Sequence, residues 1–350
     1  MTCPQKLLAV VLAASGAGMV RALPQTAPSP AQQAPSLQEQ DPRARIRITT
    51  SLVVVPVTVK GDRGELVTDL RQGEFRVFED GIEQQISLFS TDAFPLSVAV
   101  LVDNDLKQSS AERVQKTLET LAGGISASDE VSLWRFDQFP EPVADFIGDN
   151  DALITELKRV ELNSSFPGFG SAAMTNPQPR VNTQAPTGPP PSSGATFGHP
   201  NSKHITDAIF AAADQLRGRA RDRRKIVFLI SDGQNAKNNT HTYEETLKLL
   251  LASDVSVYAV GVGEANLNRG VNVLAKFAHS TGGDIFYGSS QERLEELYAR
   301  VCEQARNQYT LGYVAAHTDT TRPYHTIEVR VRRPGLSLLT RDGYYPSGKL

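Results

Sequence analysis

Two aspartates and a lysine follow an apolar run in the stretch VLVDNDLKQSS, residues 100–110. Asp103 and Asp105 come at the end of the run, Lys107 follows two residues later, and Asp232 ends a second apolar run, KIVFLISDG. Hard divalent cations such as Mg²⁺ are bound by carboxylate oxygens. An ammonium group opposes such a cation because both are positively charged. The chemistry of these residues therefore depends on where the lysine points.

Around these residues, short apolar strands alternate with helices. The predicted strands are LSVAVLVD, EVSLWRFD, KIVFLISDG, VSVYAVGVG and DIFYG, and amphipathic helical stretches separate them. Continuous apolar strands that alternate with helices indicate a doubly wound, mostly parallel sheet buried on both faces. Ligands of such sheets bind beyond the carboxyl ends of the strands. We therefore expect Asp103 and Asp232 to meet at one edge of this sheet.

Flanking segments on both sides of this α/β region alternate with a period of two. Residues 45–92 contain three or four predicted antiparallel strands, punctuated by GDRG and EDG, and residues 309–346 return to the same pattern. Neither flank is large enough to cover its own apolar face. We predict that the two flanks form one small antiparallel β-sandwich beside an α/β domain at residues 95–308.

The first 44 residues predict export. A short polar start, an apolar run from Leu7 to Val20 and small residues near Ala22 are typical of a secretory signal peptide, residues 1–22, with an uncleaved anchor as the alternative. Residues 23–44 are rich in Pro, Ala, Gln and Ser, which predicts a disordered linker. The mature chain is then periplasmic or secreted, with no membrane span.

Composition and short motifs argue against several classes of function. The 350 residues carry a net charge of −3, with no basic block of the kind that binds nucleic acid. After removal of the signal only Cys302 remains, so no internal disulfide is expected, and its helix favours a buried thiol. The 6 histidines form no zinc motif, and Ser231 lacks a G-x-S-x-G context. We predict no catalytic residue and no enzyme activity.

Residues 163–200 are rich in Pro, Gly and Ser and poor in aliphatic side chains, which predicts a disordered insertion. The segment leaves the predicted sheet just before a helix that begins near His204. Two interpretations remain open: the insertion covers the carboxyl edge of the sheet or offers a proline-rich peptide to a partner, or it has no role.

Several strings in this order, PLSVAVLVD, IVFLISDG, VYAVGVG and TGGDIFYG, resemble the von Willebrand factor A (VWFA, or vWA) domain family. The strings VPVTVK, GEFRVFEDG, YTLGY and RDGYY are similar to a bacterial subgroup, the VWFA-related acidobacterial proteins. The resemblance covers residues 46–346. It implies a metal-ion-dependent adhesion site, in which Mg²⁺ or Mn²⁺ binds an acidic group of a partner protein.

The ligand pattern of that site is only partly present in this chain. Asp103 and Asp232 match the family's two aspartates, whereas Asp105 and Lys107 stand where the first loop has serines. Lys203 stands at the threonine of the second loop, and a one-residue shift would offer Ser202 instead. The candidate metal ligands are thus Asp103, Asp105, Asp232 and Ser202, and the candidate replacing cations are Lys107 and Lys203.

These substitutions predict a degenerate site in which lysine replaces the cation. An ammonium about 4 Å from a bound ion would cost roughly 4 kcal/mol or more at an effective dielectric constant near 20. The alternative is that the lysines reach solvent and the site still binds Mg²⁺ or Mn²⁺. The leading function is accordingly metal-independent protein interaction or scaffolding in the bacterial envelope or extracellular space, with no cofactor. Metal-dependent adhesion and, further behind, a hydrolase are the alternatives.

Overall fold

The computed structural model describes residues 52–162, 203–267, 269, 272–315 and 322–346. The predicted signal peptide, the linker, residues 45–51 and the insertion at 163–200 lie outside these ranges. The strands are β1 Leu52–Lys60, β2 Phe75–Glu79, β3 Ile82–Gln84, β4 Ile86–Ser90, β5 Leu96–Asp103, β6 Glu130–Phe136, β7 Pro140–Ile147, β8 Arg224–Ser231, β9 Val255–Gly261, β10 Ile285–Tyr287, β11 Tyr309–Val314, β12 His325–Val331, β13 Ser337–Leu339 and β14 Gly343–Tyr344. The α-helices are α1 Gln108–Thr117, α2 Asn150–Arg159, α3 Ile205–Arg217, α4 Tyr243–Ala252, α5 Val273–Ser280 and α6 Gln291–Arg306.

A six-stranded sheet forms the centre of the α/β region, in the order β10-β9-β8-β5-β6-β7. The strands are parallel except β7, which pairs antiparallel with β6. All residues of β5 are buried, because its side chains alternate between two helical layers. Val98 and Val100 pack with the layer of α1, α2 and α6, and Ala99 and Leu101 pack with α3, α4 and α5. The predicted doubly wound sheet is confirmed, although β7 was not predicted.

The flanks form two four-stranded antiparallel sheets, β13-β1-β11-β4 and β14-β12-β2-β3. Each sheet contains strands from both flanks: β1 of the first flank pairs with β11 of the second, and β2 of the first flank pairs with β12 of the second. One core joins the two sheets, in which Val55 and Val57 from the first flank pack with Leu311, Tyr313 and other apolar residues of the second. The predicted β-sandwich is present because neither flank completes a sheet alone.

Buried polar groups connect the sandwich with the central sheet. Gln308 is 4% exposed, and its Nε2 donates to Thr58 Oγ1 in β1 and to the Tyr258 hydroxyl in β9, both at 3.1 Å. Arg224 in β8 donates to the Gln308 carbonyl at 2.8 Å. These bonds satisfy polar groups that would be costly to bury alone. In the part of the chain described here, no helix has the length and apolarity to cross a membrane.

Cys302 lies on the inner face of α6 and is 1% exposed. Burial raises the pKa of its thiol to about 12, so the thiolate is not formed at neutral pH. This agrees with the prediction of a buried, structural cysteine.

Candidate functional site

Two aspartates from neighbouring strands meet at the carboxyl edge of the central sheet. Asp103 is the last residue of β5 and fully buried, and Asp232 follows β8, the parallel neighbour of β5. Ser231 Oγ donates to Asp103 Oδ2 at 2.7 Å, and the Asp105 backbone N–H donates to Asp103 Oδ1 at 2.9 Å. The Gln234 backbone N–H donates to Asp232 Oδ1 at 3.1 Å. Hydrogen bonds from the loops therefore hold both carboxylates in place.

The ammonium of Lys203 lies between these two carboxylates. Its Nζ is 2.7 Å from Asp232 Oδ2 and 3.4 Å from Asp103 Oδ2. The Lys203 side chain is 4% exposed, so the charge is enclosed together with its partners. A charge at this depth is tolerated only when it is paired and hydrogen-bonded. We call Lys203, Asp103 and Asp232 the lysine–aspartate cluster.

The backbone around Lys203 is held by the loops that follow β6 and β8. The Ala236 N–H donates to the Lys203 carbonyl at 2.8 Å, and the His204 N–H donates to the Asp137 carbonyl at 2.8 Å. One residue further, the Ile205 N–H donates to Asn235 Oδ1 at 3.0 Å, which satisfies a free N–H at the start of α3. The loop after Asp232 thus positions the lysine as well as the aspartate.

The acid at the start of α3 strengthens this connection. Asp207 accepts the backbone N–H groups of Thr240 and His241, each at 2.8 Å, and its Oδ1 lies 2.9 Å from His241 Nδ1. Burial opposes ionisation of Asp207, but these hydrogen bonds lower its pKa below the usual value. An ionised carboxylate in the first turn also favours the helix dipole. The loop after β8 is therefore tied to the first turn of α3 both at Ile205 and at Asp207.

Electrostatics in the cluster favour a charged lysine. Burial would lower the pKa of Lys203, but the negative charges of Asp103 and Asp232 and the hydrogen bond to Asp232 raise it overall. Burial raises the pKa of Asp103 to about 6, with Lys203 opposing this shift and Asp232 adding to it. Lys203 is consequently protonated at neutral pH, and the Asp103 carboxyl loses its proton about one pH unit below neutrality.

Lys107, the other candidate replacing cation, does not join the cluster. Its Nζ pairs with Glu264 in the loop after β9, and its side chain is 68% exposed. The backbone explains the difference: Lys107 is the N-cap of α1, from which a long side chain reaches solvent without losing hydration. Asp105 is half-buried and contributes its backbone N–H to Asp103. Ser202 lies outside the described residues.

The residues at this edge do not fit the divalent cation that the family resemblance implies. The Lys203 ammonium already occupies the space between the Asp103 and Asp232 carboxylates, and the negative charge of Asp105 also acts on it. A dication about 4 Å from that ammonium would be opposed by more than roughly 4 kcal/mol at an effective dielectric constant near 20. Cation binding would require the buried lysine to leave.

Two large apolar side chains are exposed beside the cluster, and the sequence reasoning did not identify them. Phe139 is 62% exposed in the turn after β6, and Leu267 is 83% exposed in the loop after β9. Strands β5 and β8 lie between β6 and β9, so three strand spacings, about 14 Å, separate the ends of the outer strands. Only the fold shows that both residues lie at the edge that holds the cluster, because they are 128 positions apart in sequence.

Part of the chain matches a known family of domains. Residues 194–300 match the family model of the von Willebrand factor type A domain. This match agrees with the resemblance drawn from the sequence motifs. No curated protein sequence matches the chain.

Several solved structures are similar to this chain, each at low identity. Proximal thread matrix protein 1 from the mussel byssus has 14% identity and a TM-score of 0.42, with 61% of this chain and 49% of that chain covered. BatB from Bacteroides thetaiotaomicron has 12% identity and a TM-score of 0.39, with 60% of this chain and 98% of that chain covered. A von Willebrand factor type A protein from Catenulispora acidiphila has 8% identity and a TM-score of 0.44, with 86% of this chain and 76% of that chain covered. This chain spans about half the length of the mussel protein.

Proposed function

We propose that this chain is an exported, non-enzymatic protein that binds other proteins or serves as a scaffold through a von Willebrand A domain with a degenerate metal-ion-dependent adhesion site. The observation that carries the proposal is the Lys203 ammonium between Asp103 and Asp232. A buried ammonium takes over the charge balance that a cation would supply, so binding at this edge does not depend on a metal ion.

The exposed edge around the cluster supports protein binding. Phe139 and Leu267 supply apolar contact area on both sides, and the Lys107–Glu264 ion pair adds a polar contact on the β9 side. Interfaces combine apolar side chains in this way with a polar rim. The partner is therefore a protein with an apolar surface patch, and export, as the first 22 residues suggest, places it in the bacterial envelope or extracellular space.

The site offers no support for hydrolysis. Ser231, the hydroxyl considered in the sequence, is fully buried, donates to Asp103 Oδ2 and accepts the Gly233 backbone N–H at 3.1 Å. Both of these bonds give Ser231 a structural role in holding Asp103. A nucleophile would instead need exposure to substrate and a base in hydrogen-bond contact.

Metal titration tests the degenerate site directly. Mg²⁺, Mn²⁺ and Ca²⁺ are each added to chelator-treated protein. We expect that none of them binds at this site and that none therefore raises the melting temperature in a saturable way through it. The physical reason is that the ammonium excludes the ion. Thermal unfolding monitored by circular dichroism is the measurement. A saturable increase that disappears in both Asp232→Asn and Asp232→Ala would contradict the proposal and favour metal-dependent adhesion.

Partner binding tests the exposed edge. Proximity labelling from the exported protein would identify a partner, and its affinity would then be measured by calorimetry. We expect Phe139→Asp and Leu267→Asp each to weaken binding at least about tenfold, as loss of an apolar interface anchor does. Both variants should keep the wild-type melting temperature because the side chains are exposed.

The matched control is Leu88→Asp, which changes an apolar side chain that is 38% exposed in the β-sandwich, away from this edge. It should bind the partner like the wild type, and a chelator should not alter binding of any variant. Wild-type affinity in both edge variants, or loss of binding in the chelator, would contradict the proposal.

A further inference from the structure

A second group of polar side chains lies in the β-sandwich, away from the lysine–aspartate cluster. Glu79 ends β2, Asp80 follows it in the turn to β3, and His325 begins β12. One ligand atom from each of these residues lies within 4.8 Å of the other two. We propose that Glu79, Asp80 and His325 form a binding site for Zn²⁺.

The chain geometry of two strands brings these residues together. In the antiparallel pairing of β2 with β12, Glu79 is opposite Ile327, two residues from His325. Asp80 has a positive φ of 48°, followed by Gly81 at 82°, which are the backbone values of a tight hairpin turn. The Thr326 backbone N–H donates to Asp80 Oδ1 at 2.9 Å and leaves Oδ2 directed at the imidazole. The three side chains are thus held by backbone that is itself hydrogen-bonded.

The distances between the donor atoms suit a small tetrahedral ion. His325 Nδ1 is 2.8 Å from Asp80 Oδ2 and 3.7 Å from Glu79 Oε1. Ligands about 2.1 Å from a tetrahedral Zn²⁺ are separated from each other by about 3.4 Å. The first distance is shorter than that value and the second is longer, and the ligand atoms of Glu79 and Asp80 lie within 4.8 Å of each other. Binding would therefore require the side chains to adjust around the ion.

Burial and charge point to a ligand that is positively charged. Glu79 is 4% exposed, and the hydroxyls of Tyr313 and Tyr344 lie near its carboxylate, but its Oε2 makes no hydrogen bond of good geometry within the described part of the chain. His325 is 1% exposed. A buried carboxylate oxygen without a partner is costly, and a bound metal ion would satisfy it. Arg322 Nη1 lies 3.8 Å from Asp80 Oδ2, and its side chain is 63% exposed.

The donor types favour Zn²⁺ over the harder cations. One imidazole nitrogen with two carboxylates resembles the mixed nitrogen and oxygen sets of zinc sites that keep a position open for water. Mg²⁺ and Ca²⁺ prefer oxygen ligands alone. Two carboxylates and a neutral imidazole would also balance the charge of the dication. The site would therefore join the β2–β3 turn to β12 through the metal as well as through hydrogen bonds.

Calorimetric titration of untagged, chelator-treated full-length protein with Zn²⁺ tests the inference. We expect one equivalent to bind and the melting temperature to rise. Glu79→Gln and Asp80→Asn should each weaken binding at least about tenfold, since changes even to residues that support a ligand have effects of that size. Both substitutions keep the side-chain shape, so their melting temperatures in chelator show whether the fold is intact.

Two further variants separate this site from other binding. His279→Ala removes an exposed histidine elsewhere, and Asp232→Asn changes the lysine–aspartate cluster; both should bind Zn²⁺ like the wild type. Co²⁺ used in place of Zn²⁺ should give visible absorption bands that are lost in His325→Ala. Absence of stoichiometric Zn²⁺ binding, or wild-type affinity in folded Glu79→Gln and Asp80→Asn, would overturn the inference.

Discussion

Replacement of Lys203 by methionine is expected to lower the free energy of unfolding at pH 7 by about 3–5 kcal/mol. Methionine keeps an unbranched apolar side chain but removes the charge that lies 2.7 Å from Asp232 and 3.4 Å from Asp103. The two carboxylates would then be enclosed without a counter-charge. Urea denaturation followed by circular dichroism measures the loss.

Lys203→Thr should make the domain respond to metal. This change removes the ammonium and supplies the hydroxyl that the family resemblance places at this position. A cation can then enter between Asp103 and Asp232, and Mg²⁺ at 100 times its dissociation constant would restore about 2.7 kcal/mol. The wild type should show no such response at this site.

Lys107→Met is the matched control, because Lys107 is the other lysine of the predicted site but pairs with Glu264 at the surface. Exposed ion pairs contribute little, so its unfolding free energy should change by less than about 1 kcal/mol. Equal stabilities for the Lys203→Met and Lys107→Met variants, or a Lys203→Thr variant indifferent to Mg²⁺, would show that Lys203 does not replace a cation.

The second large effect concerns pH and Asp103. Burial raises the pKa of Asp103 to about 6 in the folded protein. An aspartate in an unfolded chain has a pKa of about 3.9. The folded state therefore binds this proton more tightly, and the stabilisation from neutral Asp103 is fully present below about pH 4 and lost as the pH rises through about 6. The difference of two pKa units corresponds to about 3 kcal/mol.

Asp103→Asn cannot titrate, which isolates this contribution from that of other carboxylates. Between pH 4 and pH 7.5, the unfolding free energy of the wild type should fall relative to that of Asp103→Asn by about 3 kcal/mol. Asp92→Asn, at an exposed carboxylate, should run parallel to the wild type. A constant difference between the wild type and Asp103→Asn over this range would contradict the raised pKa.

Local sequence patterns were sufficient for much of the fold. Continuous apolar strands such as β5 and β8 alternate with amphipathic helices, and this pattern predicts a parallel sheet with two covered faces. The period-two flanks similarly predicted the sandwich. Strand β7 was missed because its sequence, PEPVADFI, contains two prolines and little alternation, and pairing with β6 at the sheet edge overrides that weak preference.

The location of the candidate site follows from local sequence, since Asp103 and Asp232 end apolar strands and parallel strands bring their carboxyl ends to one edge. Local sequence does not determine which lysine lies between the two aspartates. Lys107 and Lys203 both stand at ligand positions, but long-range contacts separate them: the loop after Asp232 holds the backbone of Lys203, and Glu264 holds the side chain of Lys107.

Contacts between residues that are distant in sequence are visible only in the tertiary structure. Phe139 and Leu267 share an edge because of strand order, and Glu79 meets His325 because β2 pairs with β12 across 246 positions of sequence. Local patterns report only which face of an element is buried. The partner of a buried charge is chosen by packing between distant elements, where an unpaired charge has a large energetic cost.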